Sequence, residues 1–406
     1  MLKREDYLVR IRPVYHSSLI KVLIGMRRSG KSYLLMQIKE ELLNQGIEED
    51  HIIYLNFEFL DYDEIETYKD LNHFIENKIK DNQRYYLMFD EIQNIEKFEK
   101  TVNSLRAKYD CSIFLTESNS QFLSKELSTL LTGRYIEFEV FPFSFKEMIE
   151  YYDVDLEHAN LQSYLQDYMK WGGLPQRFKM NDELTRASYI QDVYHSILYK
   201  DIITRFDIKD IVLLEKIIDY VFDSIGQLFS TNNVVTHLGK TFKSVKPETV
   251  YRYLDYLAEA LLIQKVERYD IKGKKILSFY EKYYAVDLGF ANIKKHQMNI
   301  GSSLENIVYI YLKANAYQVY IGKTYAGEVD FIAQRGKDKK YIQVCYILNQ
   351  EDKDKSGKST YDREFDAFTP IKDNCPKYVL STDTFDMSKD GIIHQNIYDF
   401  LLHGFK

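Results

Sequence analysis

Apolar runs alternate with helical patterns over the first third of the chain. The runs lie at residues 19–24, 51–57, 85–89 and 112–116, and most of their positions are apolar. Parallel strands that are buried on both faces have this composition, whereas half-exposed strands alternate polar and apolar positions. Segments with helical spacing separate the runs. This order predicts an α/β fold, a doubly wound domain over residues 1–150.

The middle of the chain has a helical period instead. Three segments place apolar side chains on one helix face, at residues 211–226, 231–238 and 247–261. Two strand patterns follow, at 262–269 and 276–280, on either side of Gly273. Three helices and a hairpin predict a winged helix over residues 210–290. Residues 151–209 are then a helical lid or connector.

The last part of the chain combines one helix with several strands. The helix pattern covers residues 303–314, and strand patterns follow at 317–320, 328–333 and 341–345. They predict a second α/β domain over residues 291–406.

Composition limits the class of protein. The chain has 406 residues and is too long for one ordinary domain. Hydrophobic residues make up 45% of it, which is sufficient for several cores. Three widely spaced cysteines suggest neither a disulfide framework nor a zinc site. The amino-terminal residues are charged where a signal peptide is apolar, and no apolar run reaches membrane-spanning length. We therefore expect a cytoplasmic protein without membrane contact.

The most specific pattern is Gly-x-x-x-x-Gly-Lys-Ser at residues 25–32, between a predicted strand and a predicted helix. Glycines permit a loop whose N–H groups point at an anion, and the start of the next helix adds its positive dipole end. The lysine reaches the β- and γ-phosphates, and the serine places a hydroxyl on Mg²⁺. The pattern predicts ATP and Mg²⁺ as cofactors. The expected nucleotide ligands are Gly25, Arg28, Ser29, Gly30, Lys31 and Ser32.

A P-loop alone does not separate kinases, GTPases and ATPases, and the run at 85–89 supplies the distinction. It is followed directly by Asp90 and Glu91. An aspartate at the carboxyl end of a central strand holds Mg²⁺, here together with Ser32, and the glutamate after it polarises an attacking water. This order favours an ATPase over a kinase. The alternative is a strand that ends in a polar turn.

Polar residues also follow the strand pattern at 112–116. Ser118 or Asn119 is a candidate sensor of the γ-phosphate, although serine and asparagine are equally suited to an ordinary turn. Arg134 is a candidate for neutralising transition-state charge, in its own chain or on a neighbouring subunit, and a surface salt bridge is the alternative. Arg134 acting on a neighbour requires a homo-oligomer.

A second Gly-Lys-Ser, at residues 357–359, is an internal control. It lacks the first glycine of the pattern and follows a charged run with no strand before it. We interpret it as a solvated loop.

Several segments resemble one family. GMRRSGKS at 25–32, LMFDEIQNI at 87–95, LTESNSQFLSKELSTLLTGR at 115–134 and VFPFSFKEM at 140–148 are similar to bacterial and archaeal AAA-type ATPases with a C-terminal domain of unassigned function. WGGLP at 171–175 and the last third also match. The resemblance implies a protein that works as a ring or as a nucleotide-gated switch. Glu117 departs from it, because the family usually has glycine there, and a carboxylate beside a γ-phosphate would repel it.

The C-terminal pattern resembles the restriction-endonuclease core. In that fold a helix glutamate, a strand aspartate and an acid-x-lysine on the next strand bind a metal and activate water. Glu305 and Asp330 fit the first two positions, but Gln343 and Cys345 stand where the acid and the lysine belong. We therefore expect a degenerate fold that binds nucleic acid or protein without cleaving, with an active nuclease as the alternative.

The segment from residue 240 to residue 282 is basic in a chain of net charge -7. It carries ten Lys or Arg against six Asp or Glu. Arg252, Lys272, Lys274 and Lys275 are candidate DNA contacts. The alternative is that this module only joins domains.

The primary hypothesis is an ATP-hydrolysing P-loop protein that couples nucleotide state to a winged-helix and nuclease-like module, with DNA as a partner. The competing hypothesis is a nucleotide-gated switch that binds protein partners with negligible hydrolysis. A metal-dependent nuclease is the third.

Overall fold

A computed structural model describes residues 2–118, 131, 133–242, 245–294, 298–325, 327–351, 353 and 357–406. The chain divides into two compact units. The first comprises Met1–Phe141 with Glu259–Leu261, and the second comprises Pro142–Ala258 with Leu262–Lys406.

The first unit alternates strands and helices. Its elements are α1 (Glu5–Ile11), β1 (Ile20–Ile24), α2 (Lys31–Asn44), β2 (Ile52–Asn56), α3 (Tyr68–Lys78), β3 (Tyr85–Asp90), α4 (Phe98–Lys108), β4 (Cys111–Glu117) and β5 (Tyr135–Glu139). Short 3₁₀ turns lie at Arg12–Val14, Glu49–His51, Leu60–Tyr62 and Ile92–Asn94.

The five strands described in the first unit are parallel and lie in the order β2-β3-β4-β1-β5. The prediction of an α/β fold with a parallel sheet is thereby confirmed. Because parallel strands end at the same edge, the segments after β1, β3 and β4 meet there. The strand β4 lies between β1 and β3, so it separates the loop at 25–30 from Asp90.

Burial explains why these segments are strands. Every residue of β1, β3 and β4 is buried, as expected of central parallel strands. The helix α2 packs on the sheet through Leu34, Leu35, Ile38 and Leu42, which are buried in one core with strand residues such as Leu23. The spacing of these four residues puts them on one helix face.

The second unit is mixed. Its helices are α5 (Phe145–Tyr151), α6 (Leu161–Trp171), α7 (Glu183–Ser196), α8 (Ile211–Asp223), α9 (Thr231–Leu238), α10 (Pro247–Glu259), α11 (Leu288–Asn292), α12 (Ile300–Ala314), α13 (Thr360–Asp366) and α14 (Ile397–His403). Its strands are β6 (Ile263–Asp270), β7 (Lys275–Ala285), β8 (Gln318–Lys323), β9 (Glu328–Arg335), β10 (Asp338–Val344), β11 (Lys377–Ser381) and β12 (Ile392–Asn396). A 3₁₀ turn covers Pro175–Lys179, and a π-helix covers Ile197–Thr204.

The seven strands described in the second unit form one sheet, in the order β12-β11-β10-β9-β8-β6-β7. The predicted hairpin is present as the antiparallel pair β6 and β7. It differs from a separate wing, because β6 also pairs with β8 in parallel and so continues the C-terminal sheet. The pattern of side chains along a strand shows which face is buried but not which strand lies beside it, so this pairing was not visible in the sequence.

The WGGLP segment packs against a buried carboxylate of the same unit. Asp287 accepts hydrogen bonds from the backbone N–H groups of Gly173 at 2.7 Å and Gly289 at 2.8 Å. Gly172 has a φ of 70°, and a Cβ there would lie 1.7 Å from an Asp287 carboxylate oxygen. Only glycine fits this position, for both reasons.

Candidate functional site

The loop between β1 and α2 needs its two glycines for different reasons. Gly30, the N-cap of α2, has a φ of 99°, and Arg28 has a φ of 66°, so the backbone repeatedly enters the left-handed region. Such turns direct successive N–H groups to one side and suit an anion. Gly25 is required by packing instead, because a Cβ there would lie 2.2 Å from the carbonyl oxygen of Val140.

The ammonium group of Lys31 lies inside this loop and is buried. It donates to the backbone carbonyls of Gly25 at 2.9 Å and Met26 at 3.2 Å, and to the hydroxyl of Ser118 at 3.0 Å. A carboxylate oxygen of Glu91 is 3.7 Å from the same nitrogen. The lysine of the loop and the glutamate after β3 therefore meet at the carboxyl edge of the sheet.

Asp90 ends β3 and is completely buried. One carboxylate oxygen accepts from the Tyr54 hydroxyl and from the Asn56 side-chain amide, each at 3.0 Å. The other accepts from the hydroxyl of Thr116. Three donors on neighbouring strands thus fix the orientation of this carboxylate.

Glu91 has a left-handed backbone, with a φ of 55°. Its N–H donates to the Thr116 hydroxyl at 2.9 Å, and its carboxylate accepts from the Ser118 hydroxyl at 2.7 Å and from the Gln93 amide at 2.5 Å. A non-glycine residue in this conformation is strained, and such strain is concentrated at functional sites. The hydroxyls of Thr116 in β4 and of Ser118 directly after it hold the glutamate in place.

The electrostatics of Glu91 favour its charged form. Burial acts to raise the pKa of this carboxyl, but the charge of Lys31 and the hydrogen bonds from Ser118 and Gln93 outweigh burial, so the pKa lies below its ordinary value. Glu91 is therefore ionised at neutral pH.

Arg4 supports the loop, although no sequence pattern pointed to it. Its side chain is 2% exposed, and its guanidinium donates to the carbonyl of Ser29 at 3.0 Å and that of Phe141 at 2.9 Å. Its backbone N–H donates to Gln37 of α2 at 3.1 Å. Because C=O and N–H point in opposite directions across a trans peptide, Arg4 directs the N–H of Gly30 away from itself.

A second group of charged residues lies in the second unit and is called the carboxylate cluster here. It consists of Glu305 on α12, Glu328 and Asp330 on β9, Glu364 on α13, and the side chains of Lys282, Tyr284 and Gln343 that contact them. The structure thus brings together Glu305, Asp330 and Gln343, which the sequence had grouped.

Lys282 of β7 is the cation of this cluster, with a side chain 4% exposed. Its nitrogen lies 2.9 Å from Glu305 and 2.6 Å from Glu328. Burial acts to lower the pKa of Lys282, but the charges of Glu305, Asp330 and Glu328 outweigh it and place the pKa above its ordinary value. Burial and repulsion from Glu305 raise the pKa of Asp330 well above its usual range.

Gln343 makes hydrogen bonds on both sides. Its carbonyl oxygen accepts from the backbone N–H of Asp330 at 2.7 Å, and its amide donates to Glu364 at 2.7 Å. Asp330 in turn accepts from the N–H of Val344 at 2.9 Å. Glu364 is a member of the cluster that the sequence did not reveal, because it follows β10 by a long segment. Over the described part of the chain, no three ligating side chains are arranged to hold a metal ion.

Known proteins match both parts of the chain. Residues 17–149 match the model of an AAA domain, and residues 162–300 match that of a domain of unknown function. An uncharacterised protein of Haemophilus influenzae is 35% identical over 406 residues, which cover 99% of each chain. Another, from Methanocaldococcus jannaschii, is 31% identical over 352 residues, 84% of this chain and 77% of that one.

The chain belongs to the family of these two proteins. Its AAA domain carries the loop at 25–32 and the pair Asp90 and Glu91 described above. The fold is similar to that of a Walker-type ATPase of Pyrococcus abyssi, with a TM-score of 0.51 and 14% identity over 72% of this chain and 95% of that one. The prediction of an AAA-type P-loop fold is thereby confirmed. The winged helix and the restriction-endonuclease-like fold stay predictions.

Arg134 lies at the opposite edge of the AAA domain from the loop. Its carbonyl accepts from the N–H of Ile20, the first residue of β1, whereas the loop follows Ile24, the last. At about 3.3 Å per residue, this strand separates them by roughly 13 Å, and the guanidinium of Arg134 donates to Asn103. This position favours a structural role for Arg134 within its own chain. Its predicted role in neutralising transition-state charge, in its own chain or on a neighbouring subunit, stays a prediction.

Two other expected residues stay predictions as well. Asn119 lies outside the described residues. Ser32, in the first turn of α2, is half-buried. In the second Gly-Lys-Ser, Lys358 pairs with Asp366 at 2.6 Å on the surface, and Ser359 caps α13. The control sequence thus serves as a helix cap.

The candidate DNA contacts are all exposed. Lys272 and Lys274 lie in the turn between β6 and β7, Lys275 begins β7, and Arg252 lies on α10. Asp270 accepts from the N–H groups of Lys272 and Gly273 and so holds the turn. Within the described residues, no helix combines the length and the apolar character needed to span a membrane.

Proposed function

We propose that the AAA domain binds ATP with Mg²⁺ and hydrolyses it. The observation that carries this proposal is the meeting of Lys31 and Glu91, 3.7 Å apart and both bonded to the Ser118 hydroxyl. One group binds phosphate and the other activates water, and hydrolysis needs both at one point.

The residues present fit the nucleotide and its metal. The loop supplies left-handed turns at Arg28 and Gly30 and the start of α2, and the buried hydroxyl of Ser29 has no hydrogen-bond partner among the described residues. Ser32 and Asp90 would hold Mg²⁺. The metal neutralises charge on the phosphates. Glu91, ionised at neutral pH, takes the proton of the attacking water.

The test compares ATP affinity and phosphate release in the parent and two variants. Lys31→Ala should weaken ATP binding by about 10- to 100-fold, because a charge-assisted hydrogen bond is lost. Glu91→Gln should keep the affinity and lower phosphate release by about 100-fold or more, because the base is lost.

Lys358→Ala is the matched control, since it removes the lysine of the other Gly-Lys-Ser and should change neither quantity. Equal ATP affinity in the parent and in Lys31→Ala would refute the proposal.

A nucleotide-gated switch with negligible turnover is the second candidate. The observation that favours it is the position of Glu117, which ends β4, pairs with Ile24 just before the loop and is completely buried. If ATP binds with the expected dependence on Lys31, but phosphate release in the parent equals that of Glu91→Gln, the switch is the correct function.

We also propose that residues 210–290 act as a winged helix that contacts DNA. The support is the exposure of Arg252, Lys272, Lys274 and Lys275 in a segment with excess positive charge. Binding through phosphates should weaken steeply with salt. In a gel shift, replacing all four by alanine should lower the affinity about 10-fold or more, whereas Lys337→Ala, in the exposed turn between β9 and β10, should not. If the DNA affinity changes neither with salt concentration nor with the four substitutions, the module contacts something other than DNA.

A further inference from the structure

The restriction-endonuclease-like pattern of the second unit implies a divalent metal, and the residues present do not fit one. Where such a site needs a second strand carboxylate and a lysine, the chain has Gln343 and Cys345. The carbonyl oxygen of Gln343 accepts from the backbone N–H of Asp330, and its amide donates to the Glu364 carboxylate. Both ends of this neutral side chain are therefore already engaged, and it adds no negative charge that a metal would need.

Lys282 stands where a metal would have to bind. Its nitrogen lies within 2.9 Å of oxygens on both Glu305 and Glu328, while a divalent ion shared by them needs oxygens at about 2.0–2.6 Å. A metal ion bound to both carboxylates would therefore overlap with the nitrogen of Lys282. The ammonium group and the metal ion would also repel each other, strongly so in a buried site.

The lysine has no other described carboxylate partner than Glu305 and Glu328 within ion-pair distance, and it is held between them. Tyr284 donates to the same oxygen of Glu305 at 2.5 Å, so that oxygen is already shared by two donors. A metal would have to displace both.

We propose that the ammonium group of Lys282 is the resident cation of the carboxylate cluster and takes the place of a divalent metal. The second unit then keeps the layout of a metal site as a metal-independent core and does not cleave phosphodiester bonds. Removing the ammonium group leaves oxygens of Glu305 and Glu328 facing the space that it filled, and carboxylate oxygens are suitable ligands for Mn²⁺ or Ca²⁺. This inference does not depend on ATP hydrolysis by the AAA domain.

The experiment is a metal titration of the full chain without nucleotide, followed by thermal unfolding. Trp171 is the one tryptophan of the sequence and belongs to the second unit, so its fluorescence reports on that unit. The parent should show no saturable response to Mn²⁺ or Ca²⁺. Lys282→Ala should unfold at a lower temperature and regain roughly 5 °C as the metal saturates.

Three variants complete the design. Lys282→Arg keeps the charge and should show no saturable response to the metal, like the parent. Lys282→Ala with Glu305→Gln should lose the regained stability. Lys265→Ala removes a lysine of β6 that lies 3.5 Å from Glu281, outside the cluster, and should not create a response.

Two results would overturn the proposal. One is a saturable metal response, or Mn²⁺-dependent nicking of DNA, in the parent that Asp330→Asn abolishes. The other is a folded Lys282→Ala variant that ignores every metal. If Lys282→Ala does not fold, the titrations of the parent and of Lys282→Arg still decide, because a response in either contradicts the proposal and its absence in both supports it.

Discussion

Two buried lysines have opposite surroundings. Lys31, in the AAA domain, donates to two backbone carbonyls and a hydroxyl, with one carboxylate oxygen 3.7 Å away. Lys282, in the second unit, lies within 2.9 Å of two carboxylates and in the field of a third. Both lysines are buried, so burial does not distinguish them. The groups that contact each ammonium group decide whether its charge is available to bind a ligand.

The difference follows from electrostatics. Carbonyl and hydroxyl oxygens stabilise an ammonium group without cancelling its charge, so Lys31 can exchange them for phosphate oxygens. Carboxylates cancel the charge of Lys282, and breaking such a pair in a buried site is costly. Lys31 is thus a candidate ligand for phosphate, whereas Lys282 belongs to the core of its unit.

The largest expected effect is on stability. Lys282→Met should lower the free energy of unfolding of the second unit by about 3–5 kcal/mol, because it leaves buried carboxylates uncompensated. Urea unfolding followed by Trp171 fluorescence measures it. Lys265→Met removes an exposed lysine, and its buried partner Glu281 keeps a hydrogen bond from the Tyr283 hydroxyl, so this variant should cost no more than about 1 kcal/mol. Equal costs for the two variants would show that Lys282 is not the partner of these acids.

The same variant should change the pH dependence of stability. Burial raises the pKa of Glu305, Asp330 and Glu364, and loss of Lys282 raises it further for Glu305 and Asp330. A carboxyl whose pKa is higher in the folded state contributes stability below its unfolded pKa, near 4, and that contribution is lost as the pH rises through the folded value. The deficit of Lys282→Met should therefore grow as the pH rises from 4 to 8. A deficit that is constant with pH would contradict this account.

Arg4 tests the environment of Lys31 in the AAA domain, the other of the two buried lysines. Arg4→Ala should weaken ATP binding about 10-fold, because the Ser29 carbonyl loses its donor and the N–H of Gly30 loses its orientation. Fluorescence titration with ATP measures the affinity, and phosphate release at saturating ATP should change much less. Arg4→Lys should recover part of the affinity. Loss of turnover without loss of affinity would exclude a positioning role.

Hydrolysis should depend little on pH in the acidic range. The pKa of Glu91 is lowered, since the charge of Lys31 and two hydrogen bonds outweigh burial, so the base stays ionised as the pH falls. We expect phosphate release to change less than about threefold between pH 8 and pH 5, if one ionisation controls it. A steep fall centred near pH 6 to 7 would show that the carboxylate is not held in its charged form.

The smallest effect is expected at Arg134. Because it lies at the far edge of the sheet and bonds Asn103, Arg134→Ala should change phosphate release by less than about twofold in dilute protein. Assays over a range of protein concentrations check this. A large loss that appears only at high concentration would support a role on a neighbouring subunit.

The candidate nucleotide site was largely predictable because its signals are local. The spacing from Gly25 to Ser32 and the order of Asp90 and Glu91 each lie within a few residues of chain, and strand patterns placed both at one edge of the sheet. The supporting residues were not predictable. Thr116 and Arg4 have ordinary neighbours in sequence, and only strand pairing and a distant hydrogen bond bring them to the site.

The second unit shows the limit more clearly. The pattern of Glu305, Asp330 and Gln343 was visible, and so was the missing lysine. The sequence did not show that Lys282 of β7 supplies the cation. Its pattern predicted a separate hairpin for this strand, whereas β7 belongs to the same sheet as the C-terminal strands.

The sequence alone therefore determined the alternation of strands and helices, the glycine-containing loop at 25–32 and the acidic pair after β3. These depend on local backbone preferences and short spacings. Tertiary structure alone decided which oxygens surround each lysine, which edge of the sheet Arg134 occupies and which strands share a sheet. Those outcomes depend on contacts between residues far apart in the chain, and a single sequence holds no local record of them.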